Sequence, residues 1–408
     1  MRFVLRSVRG LSLGALSLLA LAGCEPAADQ VTYYEDVRPI LAENCLGCHT
    51  DGGIAPFGLG TYEEARIVSE RMMNATAARI MPPFLVDNSG DCGEYRDAAW
   101  LTDEEIDTIA EWHRQSNPMG DPSTPEPVIT ARPVLDGDVR TLDPGVEYQP
   151  GGERDDDYRC FLVNAPGEGF VTGYQVHPGN APIVHHVIVY APSSAAAGEA
   201  AVALDEGQEG PGYTCFGGPR VDAAPVVLWA PGGGATNFPR GTGLELEPGT
   251  PLVMQIHYNR LAGDGPDHTT VDLEIAPSAT PAYIVPIADP SFALPPRMRS
   301  VSSTNEYSLA ELPITVRAYG TFPHMHTMGT ELRVERIDGD GAMSCMTDVP
   351  RWDFNWQLAY WYETPIEITP EDTIRITCTW NTMTADETTT WGESTQDEMC
   401  LNYFYVSL

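Results

Sequence analysis

The hydrophobic pattern changes character near residue 117. Before that point apolar residues recur at helical spacing. Leu101, Ile106, Ile109, Ala110 and Trp112 fall on one face, behind Thr102-Asp103-Glu104-Glu105. This is a capping box whose acids suit the dipole of a helix N-terminus, so it predicts a closing helix. Tyr34 to Leu41 reads as the entry into a first helix. After residue 131 the pattern becomes short apolar alternations between Gly, Pro, Asn and Asp turns, as in 170–176, 187–190, 252–256 and 374–377. A period of two with frequent turns predicts antiparallel β-sandwiches. The abundance of turn formers, 38 Gly and 35 Pro, points the same way. The prolines between Asn117 and Pro127 predict a stiff extended linker. The stretch 193–212, rich in Ser, Ala, Gly and Glu, predicts a solvated loop. The expected layout is a helical domain over 31–117, a linker over 118–130, and β structure from 131 to 408.

The first residues read as a targeting segment. Arg2, Arg6 and Arg9 precede the apolar run Leu11–Ala22, which is too short to span a bilayer stably. Leu21-Ala22-Gly23-Cys24 resembles a bacterial lipobox. That resemblance implies a signal peptide over 1–23, cleavage before Cys24, acylation of its thiol, and a tether over 24–30. The mature chain would be held by lipid at the bacterial cell envelope, on the periplasmic side or as an outer-membrane lipoprotein. The alternative is an ordinary signal peptide that releases the protein. A formal charge of −35 argues against nucleic acid, which demands a basic surface.

Cys45-Leu46-Gly47-Cys48-His49 is a C-x-x-C-H motif, the attachment sequence for c-type haem. The thiols of Cys45 and Cys48 would form the thioethers and His49 would become an axial iron ligand. Met81, ahead of Pro82 and Pro83 in a loop that cannot continue a helix, is the candidate for the other axial position. Met72 and Met73 sit on a predicted helix, and His113 falls on the closing helix, so they are weaker alternatives. Residues 31–117 resemble a mono-haem cytochrome c domain.

In the β region five of the nine histidines gather in three groups at strand edges: His185-His186, His257, and His324 with His326. An i, i+2 pair on a strand projects both imidazoles to one side, which makes half of a metal site. Adjacent His185 and His186 would point to opposite faces of a regular strand, so joint ligation there demands a bulge or a twist at the strand end. Imidazole suits copper, zinc, iron or nickel. His177 and His268 read as structural or exposed.

Taken in order, His185-His186-Val-Ile-Val, Gln255-Ile256-His257-Tyr258, His324-Met325-His326-Thr-Met-Gly and Asp397-Glu398-Met399-Cys400 resemble the copper type II, ascorbate-dependent monooxygenases. The resemblance covers about 150–408. It implies two jelly-roll-like sandwiches, over 131–280 and 281–408, each holding one copper across an open cleft. His185, His186 and His257 would hold the electron-transfer copper, and His324, His326 and Met399 the copper where dioxygen reacts. A thioether is a soft ligand that favours Cu(I). Tyr403 matches a substrate-site tyrosine of the family, or else is a buried strand residue. Peptide-hydroxylating members carry an arginine two residues before the His-x-His pair, where this chain has Phe322, which implies a less polar substrate. The six cysteines not assigned to lipid or haem allow 15 pairings. The family pattern suggests Cys378–Cys400 and Cys160–Cys215. Cys92 and Cys345 then either pair, stapling the haem domain to the second sandwich, or remain free thiols.

The function these features imply is copper-dependent hydroxylation of a C–H bond in a small-molecule substrate by dioxygen, using two copper ions. The c-type haem would deliver single electrons and be reloaded by an external donor, ascorbate-like or a redox protein. The alternative is a non-catalytic exported electron-transfer or copper-binding protein on the same scaffold.

Overall fold

In a computed structural model the described residues are 30–50, 53, 55–130, 133–152, 155–261 and 263–408. The signal peptide and Cys24 lie outside them. A small helical module comes first, with a π-helical turn Tyr33–Val37 and helices Arg38–Asn44, Tyr62–Ile67, Ser69–Ala77 and Asp103–Arg114. The last helix starts with the expected box: Thr102 accepts from the Glu105 amide, and the Glu105 carboxylate accepts from the Thr102 amide. Its buried Ile109 and Trp112 pack with Tyr33, Val37, Leu41, Leu59 and Leu101 into a core of the module's own. The proline-rich segment after it is anchored to the module. Arg38 donates to the carbonyls of Thr124 and Pro125 and to Glu126, and the Trp112 indole donates to the Pro118 carbonyl.

The β half forms two sandwiches that share one continuous sheet. One face of the first is a five-stranded sheet in the order Tyr213–Thr214, Asp156–Val163, Leu252–Asn259, Val184–Pro192, Ala223–Trp229. The shared sheet runs Asp138–Leu142, Thr270–Ala276, Gly169–His177, Thr242–Leu246, Thr280–Ala288, Leu401–Ser407, Val316–His324, Tyr360–Ile368. A sheet of Val301–Ser308, Thr373–Trp380, Gly329–Ile337 and Met343–Val349 closes the second sandwich. Each run of alternation cited above lies within one of these strands. In Thr373–Trp380 every second side chain is buried, as a half-exposed sheet requires. The seam between the halves is two parallel pairs, Thr280 with Thr242 and Pro281 with Gly243, and it is packed over by side chains. Phe322, Trp361 and Tyr405 of the second half belong to the same core as Tyr174, Phe238 and Leu244 of the first. Gly320 permits this: a Cβ there would lie 2.6 Å from the Trp361 ring.

Two findings depart from the pattern-based reading. The loop predicted over 193–212 contains the helix Ala195–Glu206, with Ser194 as its N-cap accepting from the Ala197 amide. Alanine is the strongest helix former, and six of these twelve residues are Ala, which outweighs the polar composition. Residues 84–96 also leave the helical module and strap the second sandwich. Leu85, Val86 and Tyr95 are buried in its core, and Cys92 is bonded to Cys345. Cys160–Cys215 and Cys378–Cys400 are the other disulfides.

Candidate metal centres

His185 and His186 enter the site on Val184–Pro192, and His257 on the neighbouring Leu252–Asn259. The pairing registers Val184 with Tyr258 and His186 with His257, so His185 is the extra residue of a bulge. The bulge turns adjacent imidazoles toward one point. One ring nitrogen from each of the three lies within 4.8 Å of the others. The Nε2 of His257 donates to Asp156 at 2.9 Å, which leaves its Nδ1 as a bare lone pair 3.3 Å from Nδ1 of His186. Tetrahedral ligands at about 2.0–2.1 Å from a metal stand about 3.3 Å apart, so this spacing suits a shared ion. Both ring nitrogens of largely buried His185 lack a hydrogen-bond partner. Such an orphan is costly unless a ligand completes it. Burial holds His185 down at about 3 and His186 well below its ordinary value. Burial also lowers His257, partly offset by Asp156. The set is therefore neutral, the form that binds metal.

The second set stands across a cleft. His324 ends the strand Val316–His324 and His326 follows two residues later, while Met325 between them points into the core. Their ring centroids are 5.2 Å apart. Nδ1 of His324 lies 2.5 Å from Oε1 of Gln357, and Nδ1 of His326 lies 3.0 Å from the Asp397 carbonyl. Each contact fixes the ring and leaves Nε2 available, the usual arrangement around a metal-bound histidine. Burial brings these imidazoles down to about 3 and about 4. Met399 is buried and lines the cleft with both histidines. Buried Glu398 supports this set from behind, accepting from the backbone amides of His326 at 3.0 Å and Met328 at 2.6 Å and from the Trp380 indole at 2.9 Å. The donor sets, three imidazoles and two imidazoles plus a thioether, fit copper ions.

The cleft has a cavity volume of about 340 Å³ and its wall is mainly aromatic and apolar, including Tyr190, Phe322, Leu358, Trp391 and Tyr403. Phe322 and Tyr403 are opposed on neighbouring strands. Burial and the nearby Glu393 carboxylate push the Tyr403 hydroxyl up to about 12. Glu393 is the only acid of that lining, and its carboxylate is itself raised by burial and by Asp397. The open cleft implied by the family resemblance is here bridged at one end. Phe354 stacks on His185 at 4.4 Å and stands edge-on to His326 at 6.2 Å. Thr395 of the second half donates to Asp156 of the first at 2.9 Å.

Residues 282–406 match the C-terminal domain of the copper type II ascorbate-dependent monooxygenases. The human DBH-like monooxygenase protein 1 is 24% identical over 265 residues, covering 56% of this chain and 40% of that protein. The tyramine beta-hydroxylase of Caenorhabditis briggsae is 22% identical over 341 residues, 76% of this chain and 54% of that protein. The mouse peptidyl-glycine alpha-amidating monooxygenase is 24% identical over 293 residues, 67% of this chain and 28% of that protein. The chain thus spans between about a quarter and a half of the length of these relatives. Together they support the copper monooxygenase family, a class of oxidoreductases, for the β half.

In the helical module Cys45 and Cys48 are free thiols, whereas the other six described cysteines are bridged. Nδ1 of His49 lies 3.1 Å from the Phe57 carbonyl, leaving Nε2 for a metal. Met81 lines a shallow depression with Phe84, Trp100, Leu101 and Ile106, and Ile106 packs in the same cluster as Cys45. Two free thiols and an imidazole with a free Nε2 are the donor types that a c-type haem requires. His113 hydrogen-bonds Ser69 at 2.9 Å, and Met72 is buried in the module's core. His177 and His268 pair with Asp272 and Asp143, as structural or exposed residues would.

Sequence reasoning missed Asp156, Tyr158, Gln357, Phe354 and Glu393. Asp156 had a signal, an acid pair opening the apolar strand Asp156–Val163. Gln357 and Phe354 lie outside any strand and had none.

Proposed function

We propose that this chain is an exported, lipid-anchored, copper-dependent monooxygenase that hydroxylates a C–H bond of a small substrate with dioxygen. The observation that carries this reading is the convergence of two neutral, buried imidazole sets, one completed by Met399, on a single aromatic cleft. Two coppers supply one-electron redox chemistry and oxygen activation when bound. His185, His186 and His257 hold one ion, and His324, His326 and Met399 hold the other. Cys45, Cys48, His49 and Met81 hold a haem, and the strap 84–96 fixes the module that carries it to the second sandwich. Hydroxylation consumes two electrons and one haem stores one, so an external donor, ascorbate-like or a redox protein, reloads it. Phe322 and Tyr403 form an apolar seat for the reacting carbon. Glu393, as the lone acid of the wall, favours a substrate with a basic group, in keeping with the relative named for tyramine.

The test is copper and haem stoichiometry of the purified protein and of His324→Ala, with haem absorbance followed after oxygen reaches the reduced sample. Two coppers per haem in the wild type are expected, with one lost and haem reoxidation slowed in the variant. One copper or none, with reoxidation unchanged, would reduce the β domains to a scaffold and the protein to an electron carrier.

A further inference from the structure

The two metal sets are held by different sandwiches, yet one carboxylate touches the supports of both. Oδ1 of Asp156, at the start of Asp156–Val163, lies 2.9 Å from Nε2 of His257 and accepts from the Thr395 hydroxyl at 2.9 Å. Its Oδ2 accepts weakly from the Thr395 amide at 3.4 Å. Two residues beyond Thr395, the Asp397 carbonyl holds the His326 ring, and Glu398 and Met399 follow. Two residues along the strand the tie is repeated: Tyr158 stacks on His257 with centroids 4.1 Å apart and donates to the Glu393 carbonyl at 3.1 Å. The segment 393–399, which carries the second set's thioether and one of its ring supports, is therefore fastened to a ligand of the first set.

We infer that Asp156 and Thr395 couple the two metal sets, so that filling the first set raises the affinity of the second. When His257 gives its Nδ1 lone pair to a cation, its Nε2–H becomes a stronger donor and the bond to Asp156 tightens. Oδ1 of Asp156 meets the His257 ring and the Thr395 hydroxyl at once, so one atom joins the two supports. Fixing Asp156 fixes Thr395, and with it the loop that must present Asp397, Glu398 and Met399 in one arrangement. Preordering a ligand loop lowers the ordering cost of the second ion, and by linkage the second ion helps the first equally. The inference rests on the copper reading above.

The experiment is anaerobic Cu(I) titration of the full chain against a chromophoric chelator, for the wild type, Thr395→Val and Thr395→Ser. Valine keeps the shape of threonine and loses the hydroxyl; serine restores it. In the wild type the two equivalents are expected to bind cooperatively, with a coupling factor of about 5- to 150-fold. In T395V both should still bind, with that factor reduced to near one, and T395S should recover it. Asp156→Asn should in addition weaken the first equivalent by about 10- to 100-fold, the usual effect of losing a metal ligand's outer partner. Thermal unfolding of the apo-proteins checks that each variant is folded. Unchanged cooperativity in folded T395V overturns the coupling while leaving two copper sites intact. A wild type that takes up no Cu(I) overturns the copper reading and the coupling with it.

Discussion

Glu398 is a carboxylate without a cationic neighbour, buried completely, and surrounded by N–H groups that all donate to it. Burial pushes its carboxyl up to about 7 against the pull of those donors. Glu398→Gln would turn an amide nitrogen toward at least one of these donors, leaving a buried donor facing a donor at a cost of about 1–3 kcal/mol. The expected outcome is a lower melting temperature and loss of the second copper equivalent with the first retained, checked by calorimetry and metal analysis. The histidines set the pH dependence. A buried base whose folded value is depressed binds fewer protons folded than unfolded as pH falls below about 6.5, so stability declines with acidification. His185 is held at about 3, so its loss of stability runs from about pH 6.5 downward through the acid range. Glu398 and Glu393, raised rather than lowered, act in the opposite sense, as do Asp205 and Asp348, against five depressed histidines. Urea unfolding of the apo-protein between pH 7 and 4.5 should show a steeper fall in wild type than in His185→Gln, which has no ring to protonate.

At the scale of elements, the bulge in Val184–Pro192 does the main work at the first set, because it lets adjacent residues share one face. The strap 84–96 does the corresponding work for the module. It is held by Cys92–Cys345, by Leu85 donating to the Tyr360 hydroxyl at 3.2 Å, and by Phe84 packed on Tyr360 at 5.0 Å. Tyr360 in turn pairs with Thr321, on the strand that ends at His324. The Cys92→Ser/Cys345→Ser double variant is expected to lose about 2–4 kcal/mol of stability, since that bond closes a loop of 253 residues. Limited proteolysis should then cut the strap faster, while the two-copper stoichiometry stays unchanged because no ligand lies on it.

At the scale of the molecule, the shared sheet and the core that crosses the seam make the two sandwiches one packed body, which keeps the facing metal sets in register. The strap puts the helical module on the second sandwich, beside the strand carrying His324. Among the described residues no helix is long and apolar enough to cross a membrane.

By itself the sequence determined the features that local chemistry writes: the capping box before Asp103–Arg114, the alternation of the strands, and the C-x-x-C-H motif. It also supplied the ordered histidine and methionine motifs, whose identities are dictated by what copper accepts. The helix Ala195–Glu206 was legible too, had alanine propensity been weighed above polar composition. Tertiary structure alone decided what depends on contact between distant segments: the path of the strap, the partner of Cys92, and the bridge from Asp156 to Thr395, 239 residues later. An acid at a strand end looks the same in sequence whether it faces water or a histidine, because its role is set by the neighbour that folding brings to it.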